Sequence, residues 1–358
     1  MLTRRAWMLA AGALAADRAW PRVDYAAVSP RPLEFPRDHG AHPEYGIEWW
    51  YMTGWLDGPG APQGFQITFF RARTTVDPLN PSAFAAKQLI IAHAAIADPA
   101  HGALLHDQRI ARTGFGAALF STKDTDVLLD RWRLLRFPTS GEYRAVIAAR
   151  TFTLELEAQP TQSLLLQGEA GYSRKGPLPT QASYYYSQPH LAVRAVITRD
   201  GKREQRSGHA WLDHEWSSAP LAEDAAGWDW IGINLDNGSA LTAFAIRSHR
   251  ATSAPLYAYA SLRPRNGSMH VFAPRDVQFS TVAEWKSPRT QATWPVAREV
   301  RIGDRIFRTQ PLMEDQELDS RASTGAVYWE GASRLLEHGQ QIGRGYLEMT
   351  GYVAPIRL

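Results

Sequence analysis

The chain has 358 residues, 44% of them hydrophobic and 21% charged, with a formal net charge of +3 and no cysteine. That is enough apolar material for about two globular domains and too little charge for disorder. Without cysteine there is no disulfide, thiolate metal site or cysteine nucleophile, and no basic stripe argues for a nucleic-acid partner.

In chain order, residues 1–16 (MLTRRAWMLAAGALAA) combine Arg4-Arg5 with an apolar run and small residues at Ala13-Leu14-Ala15. This pattern predicts an export signal of the twin-arginine type, too short to anchor in a bilayer. The two leader arginines account for two of the three net charges. The mature protein is therefore expected to be soluble and periplasmic or secreted, with no transmembrane anchor. Residues 17–36, rich in proline, read as an extended arm.

From there the hydrophobic period is mostly two. Thr151-Phe152-Thr153-Leu154-Glu155-Leu156-Glu157 alternates along its whole length and places Phe152, Leu154 and Leu156 on one buried face. Turn pairs recur at Asp200-Gly201, Asn237-Gly238, Asn266-Gly267 and Gly303-Asp304, each suited to a two-residue connection between antiparallel strands. Residues 78–86 and 217–226 are the only stretches that suggest a helical turn or two. The expectation is an all-β chain with few short helices, divided into an N-terminal β domain at 37–190 and a C-terminal one at 191–358.

Two clusters carry chemistry. The first is His42, Glu48, Trp49, Trp50 and Tyr51, with Arg71 and Arg73 near the end of the following strand. The second is Asp213-His214-Glu215-Trp216, followed by Trp228-Asp229-Trp230. Between them lies a tyrosine-dense segment, Tyr184-Tyr185-Tyr186, and near the C-terminus Trp329 precedes Glu330. Carboxyls and imidazoles beside stacked aromatics are what an apolar ligand site with acid–base chemistry requires. Asp213, His214, Glu215, Glu48 and His42 are the candidate catalytic groups. Trp49, Trp50, Tyr51, Tyr184, Tyr185, Tyr186, Trp216, Trp228, Trp230 and Trp329 are the candidate ligand-binding residues. Alternation puts Trp228 and Trp230 on one strand face and Asp229 on the other. The same residues could serve only as packed strand ends, and Glu48 could either pair with an arginine or serve a pocket. No Gly-x-Ser-x-Gly elbow is present. His42, Glu44 and Glu48, or His209, Asp213 and His214, could be assembled as metal ligands, but not at helical His-Glu-x-x-His spacing; no metal and no cofactor are expected.

Together HPEYGIEWWYMTGWL (42–56), GYSRKGP (171–177), ASYYYSQP (182–189), AWLDHEWSS (210–218), GWDWIGINLDNG (227–238), YWEGA (328–332) and GRGYLEMTGY (343–352) resemble the AttH-like family. That family includes carotenoid 1,2-hydratases and predicted secreted hydrolases. The resemblance implies two consecutive lipocalin-like antiparallel β-barrels and a hydrophobic small-molecule ligand, isoprenoid or lipid-like. It also implies that His214-Glu215-Trp216 matches a His-x-Trp pair associated with activity in the hydratases. Their second pair, Tyr-x-Asp, has no counterpart here, where Leu241-Thr242-Ala243 stands. Two functions are expected as alternatives: an exported hydratase-like or hydrolase-like enzyme, or a carrier of a lipophilic molecule working beside an ABC-type transporter.

Overall fold

A computed structural model describes residues 24–356 except 220 and 251–253. The expected signal segment and the first part of the arm lie outside the described residues. The chain forms two antiparallel sheets, one nearly closed into a barrel and one a half-barrel. The first holds β1 (Ile47–Asp57), β2 (Gln63–Arg73), β3 (Gln88–Ala97), β4 (Leu105–Arg112), β5 (Ala118–Phe120), β6 (Asp126–Leu129), β7 (Trp132–Arg136), β8 (Tyr143–Ala148), β9 (Thr153–Pro160), β10 (Leu165–Leu166), β11 (Tyr172–Arg174), β12 (Ala182–Arg199) and β13 (Lys202–Ala219). The second holds β14 (Ala225–Leu235), β15 (Ala240–Ser248), β16 (Tyr257–Arg263), β17 (His270–Phe272), β18 (Val277–Lys286), β19 (Thr293–Ile302), β20 (Arg305–Pro311), β21 (Glu317–Asp319), β22 (Val327–Glu337) and β23 (Gln340–Thr350).

The strand order of the first sheet is β4-β3-β2-β1-β13-β12-β9-β8-β7-β6-β5, with β10 and β11 added onto β12. The central pairing of β1 with β13 joins residues at least 150 positions apart, so the N-terminal strands are closed by chain that follows the expected boundary. The division anticipated at 190 falls inside β12. The passage between sheets comes after Ala219, because β12 and β13 form one long hairpin whose ladder stays with the first sheet. The hairpin turns at Asp200 and Gly201, both with positive φ (50° and 74°), as the two central residues of a type I′ turn must be.

Neither anticipated helical stretch is helical. Residues 78–86 are turns, and 217–226 contain the end of β13 and the start of β14. Among the described residues the helices are two single 3₁₀ turns, Arg37–His39 and Pro274–Asp276. The 152–156 alternation holds: Phe152, Leu154 and Leu156 are buried in the first core.

Each sheet has its own core, and a third cluster lies between them. Trp50, Met52, Phe69 and Trp216 belong to the first core, and Ile231, Val300, Trp329 and Met349 to the second. Tyr51, Trp55, Trp211, Trp230, Phe244 and Tyr346 form the cluster where the sheets meet. Strand β1, the second half of β13, β14 and the second half of β23 are therefore buried on both faces, which is why these stretches do not alternate with exposed polar residues.

Candidate active site

Because successive side chains of a strand point to opposite faces, β1 and β13 each feed two places. Glu48, Trp50, His214 and Trp216 turn into the first barrel. Trp49, Tyr51, Asp213 and Glu215 turn toward the second sheet. The residues expected to form one site are thus divided between two.

Inside the first barrel Glu48 is fully buried and has a partner on every side. Its Oε1 accepts from His42 Nδ1 at 2.7 Å and from His214 Nε2 at 2.9 Å; its Oε2 accepts from Arg71 Nε at 2.8 Å and from the His42 backbone N–H at 2.9 Å. His42 also donates through Nε2 to Asp38 Oδ1 at 3.1 Å. Two carboxylates on one ring require both nitrogens to donate, so His42 is imidazolium. Burial works against that charge, but Glu48 and Asp38 raise its pKa overall. Burial likewise opposes the Glu48 carboxylate, yet the charges of His42 and Arg71 hold it well below the usual range. His214 is neutral, since burial lowers its pKa more than Glu48 raises it; its Nδ1 accepts from the Tyr186 hydroxyl at 3.1 Å. Trp216 stacks on His42 with centroids 3.8 Å apart, and Trp50 stacks on His214 at 4.7 Å. The tyrosine-rich segment contributes Tyr184 here as well, its hydroxyl donating to Ser29 O at 2.6 Å and tying down the arm.

Between the sheets lies a different environment, a cavity of about 80 Å³, room for several waters or the reacting end of a ligand. Its walls are Trp49, Phe70, Trp228, Trp230, Phe244 and Tyr328, and four carboxyl groups open onto it: Asp213, Glu215, Glu330 and Glu348. Asp213 takes three donors, Ser187 Oγ at 2.5 Å, Trp211 Nε1 at 2.6 Å and the Tyr185 hydroxyl at 2.7 Å. Burial still outweighs them and pushes its pKa up to about 7. Glu330 and Glu348 stand directly opposite each other across β22 and β23. Burial, together with each other's charge, raises Glu330 well above the carboxylate range, and burial raises Glu348 too. Two carboxyls so placed cannot both ionise without large cost, so the pair retains a proton. Tyr51 donates to Glu330 Oε2 at 2.7 Å and Trp228 Nε1 to Glu348 Oε1 at 2.7 Å, fixing the pair from two sides. The fourth carboxyl, Glu215, has Lys175 Nζ 3.0 Å from its Oε1, and that ammonium lies over the rings of Tyr185 (4.5 Å) and Phe244 (4.2 Å).

Of the residues expected from sequence, Asp213, Glu215, Trp49, Tyr51, Tyr185, Trp228 and Trp230 line this cavity. His42, Glu48, His214, Trp50, Trp216, Tyr184 and Tyr186 belong instead to the interior of the first barrel. Trp329 does neither: it sits in the second core and donates through Nε1 to Glu314 O at 2.9 Å, since its even-numbered neighbours Tyr328 and Glu330 take the cavity face. Asp229 turns away from Trp228 and Trp230 as alternation required, meeting Arg298 at 2.9 Å and Arg247 at 3.1 Å. Sequence reasoning missed Lys175, and it named neither Glu330 nor Glu348 among the candidate catalytic groups. The signal for the pair was a glutamate on an apolar strand in each of two segments that pair in register.

Residues 26–352 match the model of the AttH-like family. The chain belongs to that family. A solved structure of a putative AttH from Nitrosomonas europaea is 53% identical, covers 91% of this chain and 99% of its own, and superposes with a TM-score of 0.86. Kievitone hydratase from Nectria haematococca shares the fold at 13% identity, TM-score 0.68, covering 92% of this chain and 96% of its own. CghA solved with Sch210972 does so at 11% identity and TM-score 0.60, covering 94% and 97%. No curated protein matches the chain.

Proposed function

We propose that the cavity between the sheets is an acid–base site that adds water across a carbon–carbon double bond of an apolar small molecule, or removes it, in an exported protein. The observation that carries this reading is a pair of facing carboxyls, Glu330 and Glu348, that holds a proton in an aromatic-walled cavity shared with Asp213. That a hydratase shares the fold is consistent with it.

In the hydration direction the Glu330–Glu348 pair gives its proton to one alkene carbon, leaving a carbocation at the neighbouring carbon. The faces of Trp49, Trp228 and Trp230 stabilise that cation by roughly 0.5–2 kcal/mol each. The oxygen of a cavity water forms the new C–O bond, and Asp213 takes the proton this releases. Asp213 suits the base role because burial raises its pKa to about 7, where a carboxylate takes up a proton readily at neutral pH, while the pair suits the acid role because each carboxyl opposes ionisation of the other. Exchange with solvent returns both groups to their starting states.

The test is to recover the molecule that co-purifies with the protein and incubate it with fresh protein in ¹⁸O-labelled water. Uptake of one labelled oxygen by wild type, lost in Glu330→Gln with ligand still bound, is the predicted result. A ligand recovered unlabelled from wild type would mean that the protein carries this molecule without altering it.

A further inference from the structure

We infer that His42, Glu48 and His214 form a binding site for a divalent transition metal inside the first barrel, separate from the cavity between the sheets. The three groups offer His42 Nδ1, Glu48 Oε1 and His214 Nε2, all within 4.8 Å of one another and all buried. Two imidazoles and one carboxylate are the donor set that protein zinc and non-haem iron sites use.

The surroundings are those that orient metal ligands. Asp38 Oδ1 lies 3.1 Å from the remote nitrogen of His42, and the Tyr186 hydroxyl 3.1 Å from the remote nitrogen of His214. With an ion bound, each remote nitrogen carries a proton and donates it, His42 to Asp38 and His214 to Tyr186. A carboxylate behind a ligating histidine fixes its tautomer and strengthens it as a donor. Arg71 and the His42 backbone N–H hold the other oxygen of Glu48, leaving Oε1 for the ion. Ligand atoms of a tetrahedral zinc lie about 3.3 Å apart at the usual bond lengths. The present 2.7 and 2.9 Å separations must therefore open by about half an ångström, and the two ring nitrogens, which lie within 4.8 Å of each other, must come to the same spacing, a joint adjustment of the Glu48 and imidazole side chains. Three protein ligands leave a fourth position for water. Two residues that touch the ligands carry buried donors with no hydrogen-bond partner among the described residues: Arg71 Nη2, on the arginine that grips Glu48, and Trp216 Nε1, on the ring stacked over His42.

The experiment uses the full-length mature protein without an affinity tag. It is incubated with excess zinc, dialysed and assayed for metal by mass spectrometry, and the cobalt-substituted form is examined by visible absorption. The expected result is about one zinc per chain, a raised melting temperature, and the intense bands of four-coordinate cobalt. Glu48→Gln should abolish retention. Should that variant fail to fold by circular dichroism, Asp38→Asn decides, with an expected affinity loss of about 10–100-fold from removing the group behind His42. Retention by wild type of less than about a tenth of an equivalent, the weak spectrum of six-coordinate cobalt, or undiminished retention in folded Asp38→Asn would overturn the inference. None of these readouts depends on the reaction assigned to the other cavity.

Discussion

At the scale of single residues, the two carboxyl environments are opposites. Glu48 is ionised because every lone pair meets a cation or an N–H, whereas Glu330 and Glu348 resist ionisation because burial and the charge of neighbouring carboxyls outweigh their two donors. Removing the charge of Glu48 leaves Arg71 and His42 buried without their shared partner. Glu48→Gln in metal-free protein is expected to cost about 3–5 kcal/mol, measured by urea denaturation. In contrast, Glu348→Gln keeps an acceptor for Trp228 and relieves the pair, so it should raise the melting temperature at pH 8 while abolishing turnover. The chemistry of Glu48 was half legible: a glutamate in Glu48-Trp49-Trp50-Tyr51 had to pair or serve a pocket, and it pairs with Arg71. Its meeting with His214 was not legible, because 166 residues of chain separate the two and only the β1–β13 register brings them together.

At the scale of elements, period-two patterning identified strands well and their environments poorly. Hairpin turns were readable where the residues demand positive φ: Asp200-Gly201 joins β12 to β13, and Gly303, with φ 59°, begins the turn between β19 and β20. The His338-Gly339 turn between β22 and β23 has the same geometry (φ 51° and 78°) but lacks the Asn or Asp that usually marks it. Gly201→Ala forces a Cβ into the left-handed region and should destabilise by about 1–2 kcal/mol, seen as a shifted denaturant midpoint with unchanged slope. The adjacent cluster Asp213-His214-Glu215-Trp216 read as one site because sequence proximity hid the pleat. Its odd members face the cavity and its even members the packed interior of the first barrel, and that division follows from β13 having a barrel on one side and a second sheet on the other.

At the scale of the whole molecule, the site exists because two sheets dock. Trp55 Nε1 donates to Gly345 O at 2.9 Å, Trp230 Nε1 to the Tyr185 hydroxyl at 3.1 Å, and Asn234 Nδ2 to Ala210 O at 3.0 Å. The sheets approach closely at Gly64, where an added Cβ would come within 2.5 Å of Ala332 Cβ and 2.7 Å of the Tyr346 hydroxyl. Gly64→Val should therefore separate the sheets locally, lowering the melting temperature and weakening ligand binding while far-ultraviolet circular dichroism stays unchanged. An all-β chain with two antiparallel sheets was legible in the sequence; that the second half of the chain closes the first barrel was not, since nothing local to β12 and β13 distinguishes strands of one sheet from those of the next.

The pH dependence of stability is also a property of the whole. Asp213 titrates near 3.8 when unfolded and at about 7 when folded, so between those values the folded state binds the extra proton. Its contribution is fully present below about pH 4 and is lost as pH rises through about 7; Glu330 and Glu348 act in the same direction. Melting temperature should accordingly fall from pH 5.5 to pH 8, and less steeply in Glu348→Gln.

The proposed chemistry depends most on the facing pair keeping a proton at neutral pH. Side-chain ¹³C NMR of glutamate carboxyls, with Glu330→Gln and Glu348→Gln used for assignment, measures this directly. The pair as a unit is expected still to hold one proton at pH 7, with the second released only above neutrality. Two carboxylates fully ionised by about pH 5 would contradict it and leave the cavity without its acid.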